Sequence, residues 1–125
     1  MTQEDKRLLL KDLCVRQMYN VKCQFFNDAN PYILSGVLHN KPHSQLYFEE
    51  LDWKEYDGFV NVEYCKPYLF PISSMTEEQK KDMIKSSVRI GSDKNVFDWY
   101  NKNHFDYRNL IPMGLANDAT GLNIY

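Results

Sequence analysis

Between residues 21 and 65 the sequence breaks into four short runs that favour extended backbone: VKCQFF (21–26), YILSGVLH (32–39), QLYFEEL (45–51) and FVNVEYC (59–65). Each is rich in β-branched and aromatic residues, and turn chemistry separates them in NDANP, HNKPHS and DWKEYDG. Connections this short favour antiparallel neighbours. In the fourth run Phe59, Asn61, Glu63 and Cys65 alternate with Val60, Val62 and Tyr64, the pattern of a half-buried antiparallel strand. Gly36, inside the second run, predicts a bulge or sharp bend. The pattern predicts a small bent antiparallel sheet or an SH3-like barrel, and does not decide between them.

Helical grammar flanks this β unit. Residues 3 to 17 read as an amphipathic helix, with Thr2 as N-cap and Glu4 and Asp5 in the first turn. Leu9 with Leu13, and Leu10 with Cys14, stand four apart and share a face. Lys6, Arg7, Lys11 and Arg16 fall outside that stripe and read as a solvated side. After the β unit, Pro67 and Pro71 cannot donate to a ladder, so the sheet is expected to end near Cys65. Tyr68, Leu69 and Phe70 then form an apolar linker that plugs the sheet. Thr76 with Gln79 has capping-box spacing and opens a helix over 77 to 89, with Met83, Ile84 and Val88 as its stripe and Gly91 as its stop.

A third helix is expected after Asp93, with Val96, Phe97 and Tyr100 on one side and Trp99 near its edge. Asp106 can cap a short turn through Leu110, and Pro112 discourages continuation. The final NDATGLNIY has no period and reads as a flexible or partner-ordered tail. Together these segments predict an α+β single domain over residues 1–125: helix 3–17, β unit 21–65, linker 66–75 and helical tail 76–125.

Two segments, KPYLFPISSMTEEQ (66–79) and DWYNKNHFDYRNLIPMGLANDA (98–119), carry a resemblance. The chain resembles a family of small proteins of Bacteroides-type gut bacteria, their prophages and mobile elements. The matching features are the Lys-Pro-Tyr-Leu-Phe-Pro run, Trp99, Asn101 through Arg108, the Leu110–Ile111 pair, and Gly114 through Ala116. The resemblance covers about half the chain, and TGLNIY departs from it. It implies a phage or mobile-element setting in a bacterial cytoplasm and brings no activity with it.

Composition narrows the function classes. The formal net charge is -2, which leaves no nucleic-acid footprint over the whole chain. No apolar run approaches the roughly 20 residues of a membrane span, and MTQEDKRLLLKDLC lacks the layout of a secretory signal. Cys14, Cys23 and Cys65 are an odd number with no Cys-x-x-Cys spacing, which fits free thiols in a reducing, cytoplasmic compartment.

Candidate chemistry is sparse. His39 and His43 stand four apart in a turn broken by Pro42, so no metal site is expected. Cys65, His104 and Asp106 could be assembled as nucleophile, base and orienter, but nothing local activates the thiol. The five glycines are scattered and form no phosphate loop, and no cofactor motif is present. Lys80, Lys81, Lys85 and Arg89 give one helix a basic side that Glu77, Glu78 and Asp82 dilute.

Aromatic anchors are abundant by contrast. Asp52, Glu55 and Asp57 surround Trp53 and Tyr56 at one turn. The plain reading is a solvated hairpin tip. The functional reading is an acidic, aromatic patch facing a basic partner. Trp99 and Tyr107 mark a second contact region. The expected function is therefore a non-catalytic accessory factor that binds an unidentified protein partner, without cofactor or metal. The alternative is a nucleic-acid-binding small barrel, with Lys22, Lys41, Lys66 and the helix lysines tracking phosphates and Tyr or Phe stacking on bases.

Overall fold

The computed structural model describes residues 1–26, 28, 30–39, 44–49, 60–87 and 94–125. Helix α1 spans Gln3–Arg16. The Thr2 hydroxyl accepts the Asp5 N–H, and the Asp5 carboxylate accepts the Thr2 N–H, each at 3.0 Å. This reciprocal cap satisfies two of the donors that a helix start leaves unpaired. The buried face holds Leu9, Leu10 and Leu13, as their spacing demands. It also holds Asp12 and Arg16, which corrects the reading of Arg16 as a solvated residue. A 3-10 turn at Gln17–Tyr19 follows, and Asn20 in the left-handed region (φ 57) turns the chain toward the sheet.

The sheet contains β1 (Lys22–Phe25), β2 (Tyr32–His39), β3 (Ser44–Phe48), β4 (Val60–Asn61), β5 (Cys65–Pro71), β6 (Phe105–Asp106) and β7 (Asn117–Asp118). Strand order is β4–β3–β2–β1–β5–β6, with β7 also paired to β5. The register of β2 on β3 slips between Leu34 and Gly36, the irregularity that the glycine announces. A Cβ at Gly36 would stand 3.8 Å from the Tyr47 ring, in ordinary contact. The fourth run does not stay extended. After β4 a 3-10 turn takes Val62–Tyr64, so Val60 and Val62 are buried while Tyr64 faces out and Cys65 faces in. Phe26, at φ 52, is held there by its N–H to the Tyr64 carbonyl at 2.9 Å and by ring stacking on Tyr64.

β5 corrects the expected linker. It runs through both prolines to Pro71, because the ladder does not need the missing donor at Pro67. The Phe26–Tyr64 bond fixes the hydrogen-bonded pairs of the antiparallel β1–β5 ladder at alternate positions, 26/64 and 24/66. Pro67, opposite Cys23, falls at a non-bonded pair, and Pro71 is the strand's last residue. Beyond Pro67 the strand changes partners. Tyr68 and Leu69 pair in parallel with β7, and Phe70 and Pro71 pair in parallel with β6. The sheet is therefore open and mixed, and neither purely antiparallel nor an SH3-like barrel. The tail contributes two of its strands.

Helix α2 (Glu77–Ser87) starts with the expected capping box: the Thr76 hydroxyl accepts the Gln79 N–H at 3.1 Å, and the Gln79 amide oxygen accepts the Thr76 N–H at 2.8 Å. Helix α3 spans Lys94–Lys102. It is rotated from the expected orientation: Trp99 is buried and Phe97 is 51% exposed. Apolar contacts form two adjoining clusters. The larger packs the leucines of α1 on the inner face of the sheet, with Phe25, Phe48 and Leu69 at its centre and Leu110 and Leu115 closing it. The smaller joins Met75, Trp99 and Phe105, with Phe70 and Met83 against them. Both oxygens of Asp106 accept backbone N–H groups, from Leu110 and Ile111 at 2.9 Å each, which fixes the expected turn. No described helix is long and apolar enough to cross a membrane.

Candidate functional site

Asp52, Trp53, Glu55, Tyr56 and Asp57 lie outside the described residues, as do Lys41, His43 and the side chain of His39. Trp99 and Tyr107 are described, and the structure gives them different jobs. Trp99 is 6% exposed, stacks on Phe105 at 5.5 Å and donates its indole N–H to the Asp82 carboxylate at 2.8 Å. It fastens α2 to α3 and spends its ring on packing. Tyr107 is half-buried. Its ring lies beside the guanidinium groups of Arg16 at 5.3 Å and Arg108 at 4.9 Å, and packs against Phe97 and Tyr100.

The charges beneath Tyr107 are arranged around one carboxylate. Asp12 accepts the Arg16 Nε–H at 2.7 Å and the Arg108 Nε–H at 3.2 Å. The Arg16 Nη2 donates to the Phe105 carbonyl at 2.5 Å. Asp12 and Arg16 are fully buried. Burial pushes the Asp12 carboxyl up from its ordinary range, and the two guanidinium groups oppose that shift. The cluster holds α1, β6 and the 107–111 turn in one geometry, and so sets the floor of the surface above it.

That surface is a groove of about 520 Å³ between the C-terminal half of α1 and helix α3. Val15 and Met18 form one wall, Phe97 the other, and Asn101, Tyr107 and Arg108 the floor. Met18 is 71% exposed, so the groove has large apolar side chains facing solvent on both sides. Asn101 is 4% exposed, and its amide Oδ1 has no hydrogen-bond partner among the described residues. A buried acceptor left unpaired costs about 1–3 kcal/mol. The arrangement offers apolar contact beside the Arg108 guanidinium, which is a recognition chemistry.

Tyr107 was named from the sequence as a contact residue and lines this groove; Val15, Met18, Phe97 and Asn101 were not named. A signal existed. Val15 and Met18 are apolar yet stand off the Leu9–Leu13 stripe, on the side of α1 that should be polar. Asn101 carried no signal, since its burial depends on how α3 packs.

The catalytic combination conceived from sequence is divided among structural contacts. Cys65 is buried beside Cys23, whose thiol burial pushes well up and whose hydrogen bond with Cys65 adds to that shift. Asp106 spends both oxygens on the turn. His104 stacks on Tyr125 at 3.8 Å, and its Nδ1 has no hydrogen-bond partner. Burial, then the charges of Arg16 and Lys22, lower its pKa to about 4. Lys22 donates its ammonium to the Ile124 carbonyl and lies over the Tyr125 ring at 5.7 Å. Comparison with protein-family models, with curated proteins and with solved structures finds no match.

Proposed function

We propose that the chain is a non-catalytic protein-binding accessory factor, in keeping with the phage or mobile-element setting of the proteins it resembles, and that its contact surface is the α1–α3 groove. The observation that carries this reading is the groove itself, whose two sides leave the large apolar side chains of Met18 and Phe97 in solvent. Large exposed side chains on two walls are unfavourable in water and become favourable when covered. A polypeptide segment supplies the large apolar side chains that would cover them. Trp99 is replaced in this reading by Phe97 and Met18 as anchors, while Tyr107 is kept.

The experiment is a random-peptide display selection on the intact protein, repeated on a Met18→Glu, Phe97→Glu double variant. Peptides bearing a large apolar residue are expected to enrich on the first and to lose binding to the second. A selection that returns no peptide, or peptides that hold both proteins equally, removes the groove as a protein-binding surface. A salt-sensitive gel shift with nucleic acid, unchanged in the double variant, would favour the nucleic-acid alternative instead.

A further inference from the structure

The charges around the groove say what kind of segment fits it. Arg7, Lys11 and Val15 succeed one another at intervals of four along α1, and Met18, three residues further on in the 3-10 turn, continues their stripe. All four are exposed. The stripe is cationic toward the start of α1 and apolar toward its end. Arg108 adds a guanidinium at the groove floor, where its Nε is tied to Asp12 and its side chain is 19% exposed. Asp98 is the one acid lining the groove among the described residues, and Glu4 lies a turn before Arg7 at the far end of the stripe. The buried acids below do not change this balance at the surface. Asp12 is taken by two guanidinium groups, and Asp106 by two backbone N–H groups.

Resting on the protein-binding reading above, we infer that the occupant is an acidic amphipathic segment of a partner protein, with large apolar side chains at one end and carboxylates at the other. Its apolar residues sit between Met18 and Phe97. Its carboxylates lie along Lys11 and Arg7. The charged half sets the direction in which the segment lies and speeds encounter, while the apolar half supplies most of the holding energy. A basic segment is rejected because it would bring like charges together along α1.

The test sorts the display-selected peptides by charge and measures the affinity of the best one by titration calorimetry. The proteins compared are the wild type, an Arg7→Glu, Lys11→Glu variant and the Met18→Glu, Phe97→Glu variant. The expected result is enrichment of peptides rich in Asp and Glu. Their affinity falls on the order of tenfold in the charge-reversed variant, falls again with added salt, and vanishes in the groove variant. Uncharged or basic apolar peptides that depend on Met18 and Phe97 would overturn the acidic partner and leave the groove standing. Peptides indifferent to Met18 and Phe97 would overturn both. Concentration-dependent self-association that the groove variant abolishes would show the site filled by a second copy of the chain, which also overturns the partner proposed here.

Discussion

The guanidinium of Arg16 donates to the main-chain carbonyl of Phe105 at 2.5 Å, across 89 residues of sequence. The same side chain holds Asp12 one turn earlier on α1. Arg16 thus connects the helix that packs on the sheet to the strand whose Phe105 ring stacks on Trp99 in the smaller cluster. Replacing Arg16 by Met removes the cation and leaves the buried Asp12 with Arg108 alone. Breaking one side of such a pair costs about 3–5 kcal/mol. Lys at this position restores charge without the planar fork that reaches both Asp12 and Phe105, so it recovers only part of the loss. Urea denaturation of Arg16→Met and Arg16→Lys checks both statements.

Tyr125 fills a place in the β1–β5 ladder. The next hydrogen-bonded pair after 26/64 and 24/66 would be Lys22 with Tyr68. The Tyr125 hydroxyl stands between them instead: it accepts the Lys22 N–H at 2.8 Å and donates to the Tyr68 carbonyl at 2.8 Å. Burial pushes its pKa up, so it stays a neutral donor at physiological pH. Tyr125→Phe keeps the ring on His104 and removes the relay. The expected cost is about 1–3 kcal/mol, read as a lower thermal midpoint, with faster amide exchange at Lys22.

His104 gives the fold a pH response of known sign. Its pKa falls from an unfolded value near 6.5 to about 4 in the folded protein. Between those values the unfolded chain binds a proton that the folded chain refuses. Stability is therefore full above the unfolded value, declines as pH drops toward 4, and levels off below. Because the ring is only partly shielded, the decline from this group is about 2–3 kcal/mol. His104→Asn suits the same left-handed backbone (φ 63) and carries no titrating group. Subtracting its urea stability from that of the wild type, from pH 7 to pH 4, should expose the decline. Parallel curves would contradict it.

Much of the fold follows from local rules and was legible for that reason. The N-cap at Thr2, the capping box at Thr76 and the Gly36 irregularity depend on residues a turn or a pair away. The misread parts depend on distant partners. Whether Pro67 ends a strand depends on which side of β5 must donate, and that is settled by β1 more than 40 residues earlier. The parallel pairing of β5 with β6 and β7 has no local signature. Arg16 looked solvated because Asp12 and the Phe105 carbonyl were not visible together. Of the candidate site, Tyr107 could be named in advance. Phe97 could not, because the side of α3 that is buried follows from Trp99 meeting Phe105 and Asp82.

The walls of the groove should be dispensable for folding. Met18 is mostly in solvent, so Met18→Glu is expected to shift stability by no more than about 0.5 kcal/mol, while Phe97→Glu also gives up the ring contact with Tyr107 and should cost about 1 kcal/mol. Trp99→Ala, two residues beyond Phe97, should cost about 3–5 kcal/mol because it empties the smaller cluster. Thermal denaturation of the three variants separates contact residues from packing residues.

The groove is tested most directly by following backbone amide resonances while a display-selected acidic amphipathic peptide is added. The largest shifts are predicted at Val15, Met18, Phe97, Asn101 and Tyr107, with smaller ones at Arg7 and Lys11. Shifts that gather on α2 or β3, leaving those residues unmoved, would contradict a partner seated between α1 and α3.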